Sequence, residues 1–433
     1  MKMISKRTVQ VAAAIALSIG VLPADSSGVA AAVGDPPFGA PQRIDDAASA
    51  AAGYNAAIDV DSAGNGVAVW QSNGVIYGSR RPVDGDWSAP TALMTTFGPD
   101  VVALREDGSA YFNYGIEAPD GEAIAVWFPD GSVASTNVFQ QYAHGQVAAD
   151  LDGDLIAYAE TANGATTYHF AAADTDPIAD GWTSTTTLQA FGSSRVTFGQ
   201  GRTYFVAYPP DATGTDRRFR VNHVDGSTGH PTLLIRHQLC PTAGRLAGYD
   251  IGAGRSGAAV LAWRCTSRTA DVIDVQRIHP DSSVGAVVEL ARSRQSGVKD
   301  RLSDPEVAFS PKGPTVLFSR ANNATRRNVL AVSTDSSGKW GRPSIVVRGV
   351  AASSARALGA RLDWVPGAAL LTYRTTPGVI WAVRRLPGAS FGAPAPVFSS
   401  AVTKLGAVAA DGAALVAHVT QGRFASRFAP GIT

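Results

Sequence analysis

Cysteine, lysine and charge in general are scarce in this chain. Asp, Glu, Lys and Arg make up only 17% of its 433 residues, and the formal net charge is +1. No run of like charge reaches five residues, so no polybasic tail is present and no nucleic-acid partner held by charge neutralisation is expected. Six lysines stand against 31 arginines, a coding bias read as that of a high-GC bacterial gene. After residue 33 no helical period persists beyond two turns, and no segment is long and apolar enough to span a membrane. The chain is instead 45% hydrophobic and rich in turn formers, with 45 Gly and 25 Pro. That composition excludes wholesale disorder and suits short strands separated by turns.

The first 32 residues read as an export signal. Lys2, Lys6 and Arg7 form a basic start, Val11 to Leu22 a short apolar run, and Ala30-Ala31-Ala32 a small-residue cleavage site. As a helix the apolar run would rise about 18 Å, too little to cross a bilayer. The segment has no Cys for a lipid anchor and no twin-Arg pair, so the general secretory route is expected. Residues 33–433 are then one extracellular domain. Its two cysteines, Cys240 and Cys265, are expected to pair in that compartment. They close a loop of 26 residues, worth about 3 kcal/mol by loop entropy.

The strongest signal is repetition. Ile58-Asp59-Val60, Val67-Ala68-Val69-Trp70, Val75 to Arg81 and Thr91-Ala92-Leu93 are β-rich runs divided by Gly, Asn and Asp turns. They describe a meander of four antiparallel strands. A turn Gly precedes a second-strand aromatic or His in eight places. The pairs are Gly64/Trp70, Gly108/Tyr114, Gly153/Tyr158, Gly201/Tyr208, Gly257/Trp263, Gly313/Phe318, Gly367/Tyr373 and Gly412/His418. Successive aromatic positions lie 44, 44, 50, 55, 55, 55 and 45 residues apart. A period near 50 with four strands per unit predicts an all-β propeller. Small residues on the second strand (Ala68, Ala157, Ala207, Ala262, Ala417) suit sheets crowded around an axis.

A fourth-strand signature also repeats: Trp87-Ser88-Ala89-Pro90, Trp340-Gly341-Arg342-Pro343 and Phe391-Gly392-Ala393-Pro394, with Trp182-Thr183-Ser184 a weaker copy. Its Pro is compatible with an outermost strand, whose edge is free. Phe38-Gly39-Ala40-Pro41 matches it at the wrong end of the chain, and the last repeat lacks a clear fourth strand. Pro41 to Ile44 is therefore expected to supply that strand and close the ring. Eight blades are favoured. Asp120 to Trp127 also fits a second strand, and if it is one the count falls to seven.

Asp61-Ser62-Ala63-Gly64-Asn65-Gly66-Val67-Ala68-Val69-Trp70, then Val75 to Arg80, then Trp87-Ser88-Ala89-Pro90, resembles the unit of secreted propeller-like repeat proteins of actinobacteria. Some members of that group are labelled sialidase-like and most have no assigned function. The resemblance implies a propeller and an exported location.

Motifs for chemistry are weak. Ser333 to Trp340 approximates a sialidase Asp-box but has one residue too many before Gly338 and lacks the Thr; no arginine triad can be assigned. Gly252-Ala253-Gly254-Arg255-Ser256-Gly257 and Gly388-Ala389-Ser390-Phe391-Gly392 match dinucleotide and nucleophile-elbow patterns, yet both lead into strands where those sites need helices. Asp150, Asp152 and Asp154 could hold Ca²⁺, although the Gly falls at the wrong place for a calcium loop. His223, His230 and His237, near Cys240, are spaced poorly for a zinc site. Of the arginine pairs at 80–81, 217–218, 326–327 and 384–385, three fall on or near third strands, with 326–327 just before one, and one member of each pair is expected at a solvated or salt-bridged surface or facing an anionic ligand.

The leading expectation is a monomeric, non-enzymatic binding module for a glycan, a cell-wall component or a protein. The alternative is a carbohydrate-active hydrolase or lyase with carboxylates at the channel mouth. Its candidates are Asp59, Asp150, Asp250, Glu306 and Asp363, each on or near an innermost strand and taken to recur at one repeat position.

Overall fold

Short runs of two to eleven residues, largely buried on the second strands and alternately exposed farther out, broken by Gly turns, fold this chain as sheet. The computed structural model describes residues 38–429 apart from 47–48, 50–54, 100, 117–120, 137–145, 151–152, 161–164, 190–193, 210–217, 241–243, 255, 295–299, 311–312, 324, 336, 352–359, 366–367, 375–378, 387–390, 400–402, 409–413 and 421–422. The predicted export signal lies outside them. All described elements are strands, and they form eight four-stranded antiparallel sheets. These are the blades of an eight-bladed propeller. Seven are meanders in chain order: blades 1 to 7 cover 56–95, 102–136, 146–188, 195–237, 245–294, 306–351 and 360–399.

Blade 8 takes Thr403–Val408, Ala414–Thr420 and Arg423–Ala429 from the end of the chain and Gln42–Arg43 from its beginning. Gln42 lies opposite Ser426 and Arg43 opposite Ala425. The ring thus closes as the sequence predicts, through a strand at the core of the expected Pro41–Ile44. The ambiguity in repeat two is settled too. Gly121–Trp127 is a third strand, paired with the second strand Ala110–Ile116, so the count is eight.

The turns repeat as faithfully as the strands. Between first and second strands, Asp61, Arg105, Asp150 and Gly254 each donate their N–H to the carbonyl four residues on and accept from the Gly three residues on. That Gly has φ of +86°, +82°, +85° and +79° in turn, a left-handed conformation costly for any residue with a Cβ. The second-strand alanines Ala68, Ala157, Ala207, Ala262 and Ala417 have no exposure at all, as crowding near the axis requires.

The aromatic-x-x-Pro signature needs a correction. It precedes the fourth strand instead of belonging to it: Pro90, Pro343 and Pro394 stand just before Thr91–Thr95, Ser344–Ala351 and Ala395–Ser399. Proline has no N–H to give the ladder, so pairing begins after it. The residue after the aromatic makes the contact instead. Ser88, Gly341 and Gly392 donate to the third-strand carbonyls of Arg80, Ser333 and Arg384 at 2.8–2.9 Å, and Gly39 donates to Phe428 in blade 8 at 2.8 Å.

Arginine knits neighbouring blades. Arg80 of blade 1 reaches the carbonyls of Gly108 and Trp127 in blade 2, 2.5 and 2.6 Å away, with its guanidinium 4.1 Å from the Trp127 ring. Buried Arg105 of blade 2 holds three carbonyls of blade 3, those of Gly153, Thr175 and Ala172, at 2.8–2.9 Å. A planar fork with five donors can do this and a lysine cannot. Arg326–Arg327 proves to open a third strand, where the sequence placed it just before one. Arg327, Arg384 and Arg385 are buried, so these pairs are less surface features than expected.

Candidate functional site

Antiparallel meanders sort the loops onto two ends of the ring. One end carries the turns from first to second and third to fourth strands. The other carries the second-to-third turns and the connections between blades, and here the second-strand aromatics gather. Two of them pin connections directly. The buried indole of Trp70 donates to the carbonyl of Ser49 at 2.6 Å, and that of Trp263 to Leu239 at 3.2 Å. Next to the second, the predicted disulfide Cys240–Cys265 is present and ties the connection to the second strand of blade 5.

The candidate carboxylates do not share one repeat position. Asp59 and Asp363 face the second-strand residues Val67 and Leu370, each three before the aromatic. Asp250 and Glu306 face Ala262 and Leu317, one before the aromatic. At about 3.3 Å rise per residue the two levels differ by about 7 Å of depth. The reason is that first strands enter their ladders at different registers. Asp150 stands apart in a turn.

Two of these carboxylates hold the next blade. Asp59 accepts the N–H of Leu104 and Asp250 that of Val307, both at 2.8 Å. Leu104 and Val307 lie on innermost strands, which lack a neighbour toward the axis, and the carboxylates satisfy edge donors there. Glu306 is the strand neighbour of Val307, the residue whose N–H Asp250 holds. Asp363 is placed by its backbone register alone. In the Asp150 turn, Asp150 accepts the N–H of Asp154 and Asp154 that of Ala173, both at 2.9 Å, while Asp152 lies outside the described residues. Among the described residues no three His, Cys, Asp or Glu side chains gather as a metal site. His223 sits mid-strand, whereas His230 and His237 occupy opposite ends of the neighbouring strand. Burial lowers the pKa of both His223 and His237.

The Asp-box-like turn is an ordinary one. Asp335 accepts the N–H groups of Ser337 and Lys339 at 2.9 and 3.0 Å. In the glycine-rich stretch, Gly257 donates to Gly254 and the chain runs on into the strand Ala259–Thr266. Residues 387–390 of the elbow-like motif lie outside the described residues.

Three consecutive blades supply a cluster that sequence reasoning missed. Tyr158 lies within the second strand of blade 3, Leu155–Glu160, opposite Tyr168, their rings 5.3 Å apart and stacked. It packs toward blade 4, in the same core as Val196. The residue before Val196, Arg195, opens the innermost strand of blade 4 and by strand alternation turns to the other face, where it lies opposite Ala207 and toward blade 5. Its partly buried guanidinium lies 5.9 Å from the ring of Tyr249 on the innermost strand of blade 5. That is cation–π range. Arg195 has no carboxylate partner among the described residues. Tyr158 is 5% exposed, and among the described residues its hydroxyl has no hydrogen-bond partner, nor have those of Tyr168 and Tyr204 in the same core. Burial pushes this phenol well above its usual range, and the charge of Arg195 pulls it back. Tyr158 was legible as a second-strand aromatic. Nothing marked Arg195 among 31 arginines.

A second charged cluster lies between blades 5 and 6 and is wholly different. Arg264 donates to Asp304 through Nε and Nη2 at 3.0 and 2.8 Å and stands 3.7 Å from Asp271. Asp271 accepts the N–H of Leu302 at 3.1 Å. Arg327 donates to Ser319 and to the Arg301 carbonyl. A Cβ on Gly248 would come within 2.2 Å of Asp304, so glycine is needed to admit the carboxylate. Here acid and base are matched and buried, and the network joins blades.

A scan against protein-family models finds no match to this chain, and neither does a search of curated proteins. Among solved structures it is similar to the BP39L lectin from Burkholderia pseudomallei, with TM-score 0.50 and 11% identity over 79% of this chain and 99% of that one. It is similar also to polysaccharide lyase Uly1, TM-score 0.49 and 10% identity over 89% of this chain and 91% of that one. The β-propeller domain of the Trilobed protease from Pyrococcus furiosus gives 0.47 and 10%, over 78% and 97%. At such identity the lectin likeness bears on the fold alone, and the other two carry no argument.

Proposed function

We propose that this protein is an exported saccharide-binding propeller whose ligand sits at the inter-blade connection end of blades 3 to 5. One contrast carries the reading. Two of the five candidate carboxylates for hydrolysis, Asp59 and Asp250, accept backbone N–H groups of the next blade. Arg195, by contrast, has no carboxylate partner among the described residues, and its guanidinium lies 5.9 Å from the Tyr249 ring. The first arrangement holds a ring together and the second is ready for a partner. A lectin on a similar fold makes a saccharide a reasonable ligand class, by analogy of fold. Export is supported by the basic-then-apolar start of the chain and by the disulfide, which suits an oxidising compartment.

The test is a glycan and cell-wall polysaccharide array probed with the purified protein, with mass spectrometry of the supernatant. Retention without released product is the expected result. Release of shortened or unsaturated sugars would make the protein an enzyme, and Glu306 and Asp363 would be the first residues to exchange.

A further inference from the structure

We infer that the connection end of blades 5 and 6 is a docking surface for an anionic polysaccharide, a polymer with repeating carboxylates or sulfate esters; the saccharide part rests on the function proposed above.

In blade 5 the turn from the second strand, Ala259–Thr266, to the third, Ala270–Ile278, carries exposed Arg268. Exposed Arg294 ends the outer strand opposite Ala270, at the same end, with Arg292 two residues before it. Blade 6 repeats the arrangement. Arg320 stands next to last on its second strand. Exposed Arg326 opens its third strand opposite Ala351, and exposed Arg348 lies on the outer strand three residues before Ala351. The two groups adjoin, for the Arg320 guanidinium crosses to the carbonyl of Arg292 at 3.4 Å. The Nε of Arg320 is buried and has no hydrogen-bond partner among the described residues.

Among the described residues none of Arg268, Arg294, Arg320, Arg326 and Arg348 has a carboxylate partner. The exposed carboxylates at this end of the two blades are Glu289, already held by Arg292, and Asp300. Beneath the surface Asp271 and Asp304 are taken by Arg264. Like charges gathered at neighbouring strand ends repel one another. Composition does not impose that cost, since the whole chain is nearly neutral and the same turn of blade 1 is the uncharged Asn73-Gly74. At the opposite end of blades 5 and 6 the signs are mixed, with exposed Asp281 and Asp335 beside exposed Lys339 and Arg342.

The spacing points to a polymer. Neighbouring blades are packed sheets about 10 Å apart. One small anion cannot span both groups, whereas a chain with a charge on each repeat can. Guanidinium forks take the paired oxygens of carboxylates and sulfates. The exposed apolar side chains of these blades, Val284, Val287, Val288 and Ile345, stand in the other half of the outer strands. The arginines thus lack the apolar companions with which a surface enters a bilayer.

The test measures binding of the full chain to five probes over a salt series: polygalacturonate, dextran sulfate, carboxyl-reduced polygalacturonate, duplex DNA and phosphatidylglycerol vesicles. The expected result is binding to the first two that weakens steadily as salt rises, and none to the reduced polymer. Arg294→Gln, Arg326→Gln and Arg348→Gln together should cut that affinity about tenfold or more and flatten the salt dependence. Their melting temperature should hold or rise, because repulsion is relieved. Arg202→Gln, Lys339→Gln and Arg342→Gln together alter net charge equally at the other end and should leave binding unchanged. Equal losses in the two triple variants overturn the surface, for net charge alone would then account for binding. DNA or vesicles bound more tightly than either charged polymer overturn the polysaccharide as occupant. Neutral glycans retained on the array while neither charged polymer binds overturn this inference and leave saccharide binding standing. No binding of any probe, with no glycan retained, overturns both.

Discussion

The carboxylate of Asp250 accepts the backbone N–H of Val307 at 2.8 Å, a bond from the innermost strand of blade 5 to that of blade 6. Asp59 makes the equivalent bond to Leu104 between blades 1 and 2. Asp250→Ala leaves a backbone donor at the axis without its acceptor and should cost about 1–3 kcal/mol. Asp250→Asn keeps an acceptor oxygen and should recover much of the loss. Calorimetric melting of the three proteins measures both; an unchanged melting temperature in Asp250→Ala would remove the bond from the account of ring stability.

Deleting the chain through Arg43 strips the outer strand from blade 8. The exposed edge is Arg423–Ala429, a strand whose Phe424 and Ala425 are buried in the closed ring. Such an edge recruits other chains. The truncated protein should elute from size exclusion as oligomers or aggregate at concentrations where the intact protein runs as one species.

Cys240→Ser with Cys265→Ser should lower the unfolding free energy by about 3 kcal/mol, the loop-entropy value for their separation of 25 residues. Denaturant midpoints with and without reductant give the number. The double variant should be insensitive to reductant, and the native protein should not.

Asp274 lies directly opposite Glu289 on the outer strands of blade 5, and Arg292 is paired with Glu289. Burial, with Glu289 adding to it, pushes the Asp274 carboxyl up to about 6. Its folded value is thus above the unfolded one, so the native state binds the proton more tightly. Stability should fall as pH rises from about 4 to about 6. Asp274→Asn should flatten that part of the profile and stabilise the protein at pH 7. A melting series from pH 3.5 to 8 checks both.

The fold was legible because propeller repeats write local rules many times over. Each Gly/aromatic pair marks a strand, and Phe38-Gly39 betrays ring closure by copying Phe391-Gly392. The N–H of Gly39 and Gly392 serves the same bond in both places. The candidate site was not legible for the opposite reason. Arg195, Tyr158 and Tyr249 sit on three blades and are more than 30 residues apart, so no spacing links them. Composition counted the arginines without separating those that bind carbonyls from the one beside Tyr249. The axial carboxylates misled because position along an inner strand depends on register, which only the ladders reveal.

Gln42 and Ser426 are 384 positions apart (426 − 42), whereas every other ladder joins strands that follow one another in the chain. Blades 1 to 7 can therefore assemble from local contacts as the chain is made, in any order and at small entropic cost. The clasp cannot. Residues 38–43 are synthesised before any blade and find their partner last, and until then they are a loose end. A two-residue strand is well suited to that wait, for it offers a passing edge almost nothing to hold.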